Sequence, residues 1–418
     1  MQNHKLYDVI IVGGGASGLM AAGISAGSGA KTLLLEKMNI CGRKLRITGK
    51  GRCNITNLTI LDEFINHIEP DGRFLYQVFS QFFSSELISF FESIGIKTVF
   101  ERGNRVFPES NKAQDVVEAL IKWNKKSGTE IICNTKVEKL LIENNCIKGL
   151  IANNQQYYSN SVIIATGGCS YPATGSDGFG YNIAKSAGHT IIPVRPALVP
   201  LLSSKNIDKN LNGLDLKNVS VKLLIDGKKI TEKFGEMSFV ERGISGPIIL
   251  TVSRLAVDAI ISGKKVEISI DLKPALDNKK LDDRLLREIN TNGNQSMLSF
   301  LKILLPSKLI QFCINICSFT ETKKCNQISS AERLKLLKWL KDFRINVTGY
   351  ASFSEAIVTA GGVNLKEINP KTMESKLIKK LFFAGEILDL NADTGGYNLQ
   401  IAFSTGWVAG KSASIKSI

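Results

Sequence analysis

An α/β protein of Rossmann type, its sheet interrupted by an insertion, is predicted by three features of the sequence. The chain opens on an apolar run, Tyr7 to Val12, that leads directly into Gly13-x-Gly15-x-x-Gly18. A stretch of small residues with helical spacing, Ser17 to Ser28, comes next, followed by a second apolar run, Lys31 to Glu36, ending in an acid. The same texture returns late, in the run Leu381 to Ala384 before Gly385 and in a helix predicted from about Asn398.

The opening elements read as strand, glycine turn, helix and strand, the start of a parallel sheet. Residues 131 to 167 read as several short strands, the last ending Ala165-Thr166-Gly167-Gly168. Three of the ten prolines then cluster at Pro193, Pro196 and Pro200, which suits a linker because proline cannot donate to a strand ladder. Strand-like alternation follows (Val219 to Ile225, Val266 to Leu272), and then helical spacing (Leu281, Leu285, Ile289; Leu334, Leu337, Leu340). The predicted organisation is a nucleotide-binding domain over 1–192 and 358–418. Its insertion is β-rich over 193–275, helical over 276–342, and returns over 343–357.

Composition sets bounds on function. At 418 residues the chain can hold two or three domains with their own cores. No apolar run reaches the ~18 residues of a spanning helix, and the N-terminus lacks a signal-peptide pattern, so a cytoplasmic protein is expected. Eight cysteines without any Cys-x-x-Cys suit reduced thiols better than a zinc ribbon or a disulfide framework. Cys313, Cys317 and Cys325 lie in apolar surroundings and read as core. His4, His67 and His189 are too scattered to suggest a metal site. The net charge is +15, and residues 193–355 hold 26 basic against 17 acidic residues. Compositional bias towards lysine explains this, and so does a polyanionic partner.

Each part of the glycine motif has a physical role. Gly13 permits a tight turn, Gly15 lets a pyrophosphate approach the backbone, and Gly18 lets the helix pack close to the strand. The helix N-terminus, with Ala16 and Ser17, offers free N–H groups to phosphate. Glu36 is placed to accept the ribose hydroxyls, with Lys37 beside it. A second glycine crossing at Thr166-Gly167 and a late Gly385-Glu386-x-x-Asp389 suit FAD, whose length needs holding along the whole domain. No second Gly-x-Gly-x-x-Gly serves a separate nicotinamide domain, so FAD is the expected cofactor, on a two-dinucleotide-binding fold.

The stretch Gly42-Arg-Lys-Leu-Arg-Ile-Thr-Gly-Lys-Gly-Arg-Cys-Asn-Ile-Thr-Asn57 resembles the signature of the HI0933-like flavoproteins, the BaiN/RdsA-like family. Thr174-Gly-Ser-Asp-Gly178, Gly243-Ile-Ser-Gly-Pro247, Thr359-Ala-Gly-Gly-Val363 and Gly395-Gly-Tyr-Asn-Leu-Gln400 match in order along the chain. The resemblance implies an FAD domain, an inserted β-barrel-like domain and a small helical subdomain within that insertion. The activities it implies are reduction of activated C=C bonds with NADPH or NADH, dihydrouridine formation in ribosomal RNA, and oxidation of small amines such as aminoacetone. Where the family often reads Phe-Thr-His, this chain has Phe239-Val240-Glu241, so no proton role passes to a histidine there.

Reduced flavin carries negative charge at its N1–C2=O edge, which calls for donors or a positive dipole. The helix after Gly395-Gly396 is the candidate, with Asn398, Leu399, Gln400 and Ile401 lining the ring. Glu386 and Asp389 would face the ribityl chain and phosphates. Arg43 and Lys44 would neutralise the pyrophosphate or flank the flavin, unless they are a solvated basic pair. Val137 fits the position whose backbone reads adenine in related folds. Cys53 is either a proton donor beside the flavin or a small buried hydrophobe in a tight turn, and His189 reads as a helix-terminal cap. Two functions compete. One is an NAD(P)H-dependent reductase of an activated C=C bond, with uridine in ribosomal RNA the specific substrate. The other is an oxidase of a small-molecule amine. A flavin-bound RNA-binding protein without catalysis is a third.

Overall fold

The computed structural model describes residues 6–203 and 209–415, so His4 lies outside the described residues. The chain divides into two compact units, Met1–Ala197 with Phe353–Ile418, and Leu198–Ser352.

The first unit is a Rossmann-type α/β layer. Its main elements are β1 (Leu6–Val12), α1 (Ala16–Gly27), β2 (Thr32–Leu35), α2 (Arg43–Gly51), α3 (Ala113–Lys126), β3 (Glu130–Ile132), β4 (Val137–Glu143), β5 (Cys146–Ala152), β6 (Gln155–Ile164), β7 (Leu381–Phe383) and α4 (Tyr397–Ala413). Among the described residues they build a seven-stranded sheet in the order β3-β2-β1-β6-β5-β4, with β7 also on β6. The pairs β1–β2, β1–β6, β2–β3 and β6–β7 are parallel, while β5 pairs antiparallel with β6 and β4. Val12 is in register with both Leu35 and Ile164, which brings the carboxyl ends of β2, β1 and β6 together. Parallel strands are buried on both faces, and the runs VIIV and TLLL are buried throughout.

Small residues bring the helices in close. A Cβ on Gly406 would stand 2.4 Å from the Ser17 carbonyl oxygen, and one on Gly410 would stand 2.5 Å from that of Ala21. These glycines let α4 lie directly on α1, and Ser25 closes the contact by donating to the Gly410 carbonyl at 3.0 Å.

Pro193 and Pro196 lie in a strand, not in a linker. Ile191–Ala197 pairs antiparallel with Val358–Val363, and its register shifts between Ile192 and Arg195. A bulge is one of the few places a sheet tolerates proline.

His189 packs more than it caps. Its backbone N–H closes the preceding helix by bonding Ala184 O at 3.1 Å. Its ring is fully buried between Glu367 (Nδ1, 3.1 Å) and Ser375 (Nε2, 2.8 Å). Burial holds its pKa below the ordinary value, and the Glu367 carboxylate only partly offsets this. The unfolded chain therefore takes up a proton before the folded one does. Stability should be fully present above the unfolded histidine value of about 6.5 and be lost as pH falls below it. Urea midpoints at pH 8 and pH 5.5 check this. In His189→Gln the decline over that window should flatten; an unchanged slope would assign it elsewhere.

The second unit is a closed antiparallel barrel of six strands among the described residues. In order around the barrel these are Leu201–Ser203, Gly243–Ser245, Lys228–Val240, Asp215–Ile225, Val266–Asp271 and Phe343–Tyr350. Closure leaves no free sheet edge. Leu216, Val219, Val221 and Leu223 point inward with Ile268 and Ile270. Four helices follow before the last strand: Asn278–Thr291, Met297–Leu304, Ser307–Cys317 and Ser330–Lys341. Cys313, Cys317 and Cys325 are buried in the same apolar core. Glu241 is exposed in the turn after Val240.

Candidate active site

The turn between β1 and α1 is built as its glycines require. Gly13 has φ +104°, and a Cβ there would meet Ala165 O at 2.6 Å. A Cβ on Gly18 would stand 1.8 Å from Gly13 O, so this position admits no side chain. Gly15 is different: nothing lies within 4 Å of where its Cβ would be. It is the N-cap of α1 and brings no side-chain cap, so no side chain of the cap takes the first N–H groups of the helix, from Ala16 on. Ser17 turns inward and donates to Ala384 O at 3.3 Å.

Glu36 lies across this turn. One carboxylate oxygen accepts from Gly14 N at 2.7 Å and the other from Met38 N at 2.7 Å. Thr135 N bonds Glu36 O and Asn134 N bonds Met38 O, which brings the start of β4, with Val137, next to Glu36. Lys37 is turned away, paired with Asp177 at 2.6 Å.

Lys44 and Arg43 part company. The Lys44 ammonium sits 2.6 Å from Glu386 Oε2 and also bonds Ser170. Ser170 Oγ donates to Glu386 Oε1 at 2.7 Å, as does Thr359 N at 2.9 Å. Thr359 Oγ1 accepts from Cys169 N at 2.8 Å. Lys44 and Glu386 are thus spent on each other, in a network with Ser170 and Thr359 that spacing alone does not reveal. Arg43, half-buried at the start of α2, pairs with no group among the described residues. It is the cation of the two left for an anionic ligand.

Gly167 (φ +74°) turns the chain beyond β6 against Ser176, and Thr166 Oγ1 is buried without a partner. Asp389 is half-buried near Arg195, and burial raises its pKa. Gly385 N donates to Thr405 Oγ1 at 2.9 Å.

The end of α2 is irregular. Gly49, Lys50, Gly51 and Cys53 all adopt positive φ, from 56° to 83°. Such conformations in non-glycine residues are strained and cluster at functional sites. Asn54 Oδ1, next in the chain, is buried with no partner. Cys53 itself has no exposed surface, and burial pushes its thiol up to about 12. The structure brings it into the core behind the loop, not to an open face.

At the start of α4 the backbone does what the side chains do not. Gly396 (φ +104°) is the N-cap, closed on by Thr56 O, and no side chain caps the helix. Asn398 is used internally: its Nδ2 donates to Ala392 O at 2.7 Å and its Oδ1 accepts from Ala392 N at 2.9 Å. Gln400 is fully buried, accepting from Thr56 and donating to Ser404 at 2.8 Å. Ile401 is core, and Leu399 is half-buried. What this helix offers a ligand is its first-turn N–H groups.

The family described as HI0933-like protein Rossmann domain matches residues 7–412. This chain belongs to the HI0933-like family. A 3-dehydro-bile acid delta(4,6)-reductase of Clostridium scindens is 33% identical over 97% of this chain and 98% of the relative. A ribosomal RNA dihydrouridine synthase of Escherichia coli is 28% identical over 96% of each chain. Among solved structures, a 3-ketosteroid delta1-dehydrogenase from Sterolibacterium denitrificans superposes with a TM-score of 0.50 at 12% identity, covering 98% of this chain and 99% of that one. That likeness shows the fold alone. The HI0933-like chain is an FAD-dependent oxidoreductase.

The residues present fit that cofactor. The space above Gly15, the uncapped starts of α1 and α4, the unpaired Arg43 and the orphaned Asn54 Oδ1 offer donors and an acceptor along one unit.

Proposed function

We propose that this protein is a reductase of an electron-poor C=C bond, using NADPH or NADH as electron donor. The observation that carries the reading is the pair of uncapped helix starts in one Rossmann unit, at Gly15 and at Gly396, in a chain of this family. FAD, when bound, supplies hydride transfer between a nicotinamide and the substrate carbon. Gly15 and the first turn of α1 would hold the pyrophosphate, Arg43 would offset its charge, and Glu36 with the Val137 backbone would hold the adenosine half. The first-turn N–H groups of α4 would stabilise negative charge on the ring.

Relatives named as a delta(4,6)-reductase and as a dihydrouridine synthase support reduction over amine oxidation. Their names describe removal of unsaturation. Uridine in ribosomal RNA is the substrate we favour. Its C5=C6 bond is conjugated to a carbonyl, and the +15 charge suits a polyanion. No helix among the described residues is long and apolar enough to cross a membrane, and we place the protein in the cytoplasm, where that RNA is.

The test is the anaerobic visible spectrum of the purified protein. NADPH or NADH should bleach the flavin band, and an unmodified ribosomal RNA transcript should restore it with dihydrouridine formed. Restoration by a steroid dienone and not by RNA would move the substrate to the small-molecule class. Bleaching by aminoacetone alone would sink the reductase reading.

A further inference from the structure

Side chains from two distant segments, His67 from one and Asp393 and Tyr397 from the other, meet at the start of α4. His67 Nδ1 lies 2.9 Å from Asp393 Oδ2. Asp393 N donates to the His67 carbonyl at 3.1 Å. The His67 ring stacks on the Tyr397 ring, with centroids 4.4 Å apart and planes at 25°. Asp393 is fixed in its turn by Asn398, whose Nδ2 also reaches Asp393 O at 3.2 Å. The short strand pairs Asn391↔Glu69 and Ala392↔Ile68 tie the two segments together directly after the histidine and directly before Asp393.

This arrangement leaves one atom uncommitted. With Nδ1–H facing a carboxylate, Nε2 is the free nitrogen, a lone pair in the neutral ring and an N–H donor when the ring is an imidazolium. Nε2 has no partner among the described residues, and the His67 side chain is 33% exposed. His189 offers no such atom, because Glu367 and Ser375 take both its nitrogens. Cys53 is enclosed. Tyr397 is buried, and its hydroxyl is directed to Thr59.

We propose that His67 is the proton donor of the reduction, a catalytic residue that touches the substrate through Nε2, with Asp393 as its positioning residue. The proposal rests on the reductase reading and places the acid beside the uncapped first turn of α4. Reducing a conjugated C=C bond breaks the π bond and forms two C–H bonds. One carbon receives hydride, with both electrons, from the reduced flavin, itself charged by the nicotinamide. The other carbon takes the proton from Nε2 of the His67 imidazolium. The imidazole left behind is reprotonated from water, and the nicotinamide leaves oxidised.

Two measurements test this on the holoenzyme. In the first, ¹⁵N-histidine NMR should show the His67 signal, identified by its loss in His67→Gln, with the proton of the neutral ring held on Nδ1. Its signal should move on flavin reduction, while that of His189 stays in place. Asp393→Asn should shift that tautomer balance. In the second, flavin reduced with NADPH is mixed anaerobically with cyclohexenone, a steroid dienone or the RNA transcript. Reoxidation by whichever acceptor serves the wild type should fall about 100-fold or more in His67→Gln, with FAD content retained. It should recover in part with added imidazole. Reoxidation of His67→Gln at the wild-type rate overturns the proposal, as does a His67 signal blind to flavin reduction. A wild type that none of these acceptors reoxidises instead sinks the reductase reading, and the proton-donor role with it.

Discussion

Gly18→Ala is expected to cost the protein both its flavin and much of its stability, whereas Gly15→Ala should cost the flavin alone. The two positions are three residues apart in one motif, yet their surroundings are opposite. At Gly18 a Cβ would stand 1.8 Å from the Gly13 carbonyl oxygen and 3.4 Å from Ala165 Cβ. Gly13 cannot yield, since its N–H bonds Leu35 O at 2.8 Å and its own Cα already faces Ala165 O. The β1–α1 unit would have to open, at about 3 kcal/mol or more. At Gly15 the backbone has φ −80°, which alanine adopts freely, and no atom lies within 4 Å of the new methyl. That methyl would occupy the space where a phosphate approaches the helix start. Urea unfolding of the flavin-free forms, with flavin absorbance after gel filtration, separates the two effects. A Gly15→Ala protein that keeps its full flavin content would remove the phosphate cradle from the site. A Gly18→Ala protein within about 1 kcal/mol of wild type would remove the packing argument.

The contrast explains what could be read from the sequence. Gly13, Gly15, Gly18 and Glu36 form a local unit whose strand, turn, helix and strand are contiguous, so spacing alone dictates which atoms meet. The strands over 130–164 and the barrel strands around Val219 and Val266 follow from alternation in the same way. Where partners are distant, spacing carries no signal. Lys44 reads as a free cation until Glu386, 342 residues on, is seen to hold it. Asn398 and Gln400 read as ring-lining polar groups, but Ala392, Thr56 and Ser404 claim their side chains. Pro193 and Pro196 suggest a linker because proline lacks a donor, and a bulge meets that need inside a strand. His67 reads only as too far from the other histidines for a metal site, because its partner Asp393 is 326 residues away. The left-handed run through Cys53 explains the dense glycine of the signature, a backbone requirement that composition only hints at.

Breaking the Glu386 network should have the second large effect. Glu386 accepts from Lys44, Ser170 and Thr359 N, joining α2, the loop after β6 and the strand Val358–Val363 to the turn after β7. Its side chain is only 20% exposed and that of Lys44 only 23%. Glu386→Ala leaves a largely buried ammonium without its anion and Thr359 N without an acceptor. Losing one partner of a buried pair costs about 3–5 kcal/mol, and the residual exposure brings this nearer 2–4 kcal/mol. Lys44→Met leaves the carboxylate with its two neutral donors and should cost less. The double variant Lys44→Met with Glu386→Leu should recover part of the Glu386→Ala loss, because no charge is stranded. Urea midpoints across the set show whether the stranded charge carries the loss, and flavin content reports whether the network also shapes the cofactor site. If all three variants are equally stable, solvent screens the pair and it organises nothing. If stability falls in Glu386→Ala and returns in the double variant while flavin stays lost, Glu386 meets the cofactor as well as Lys44.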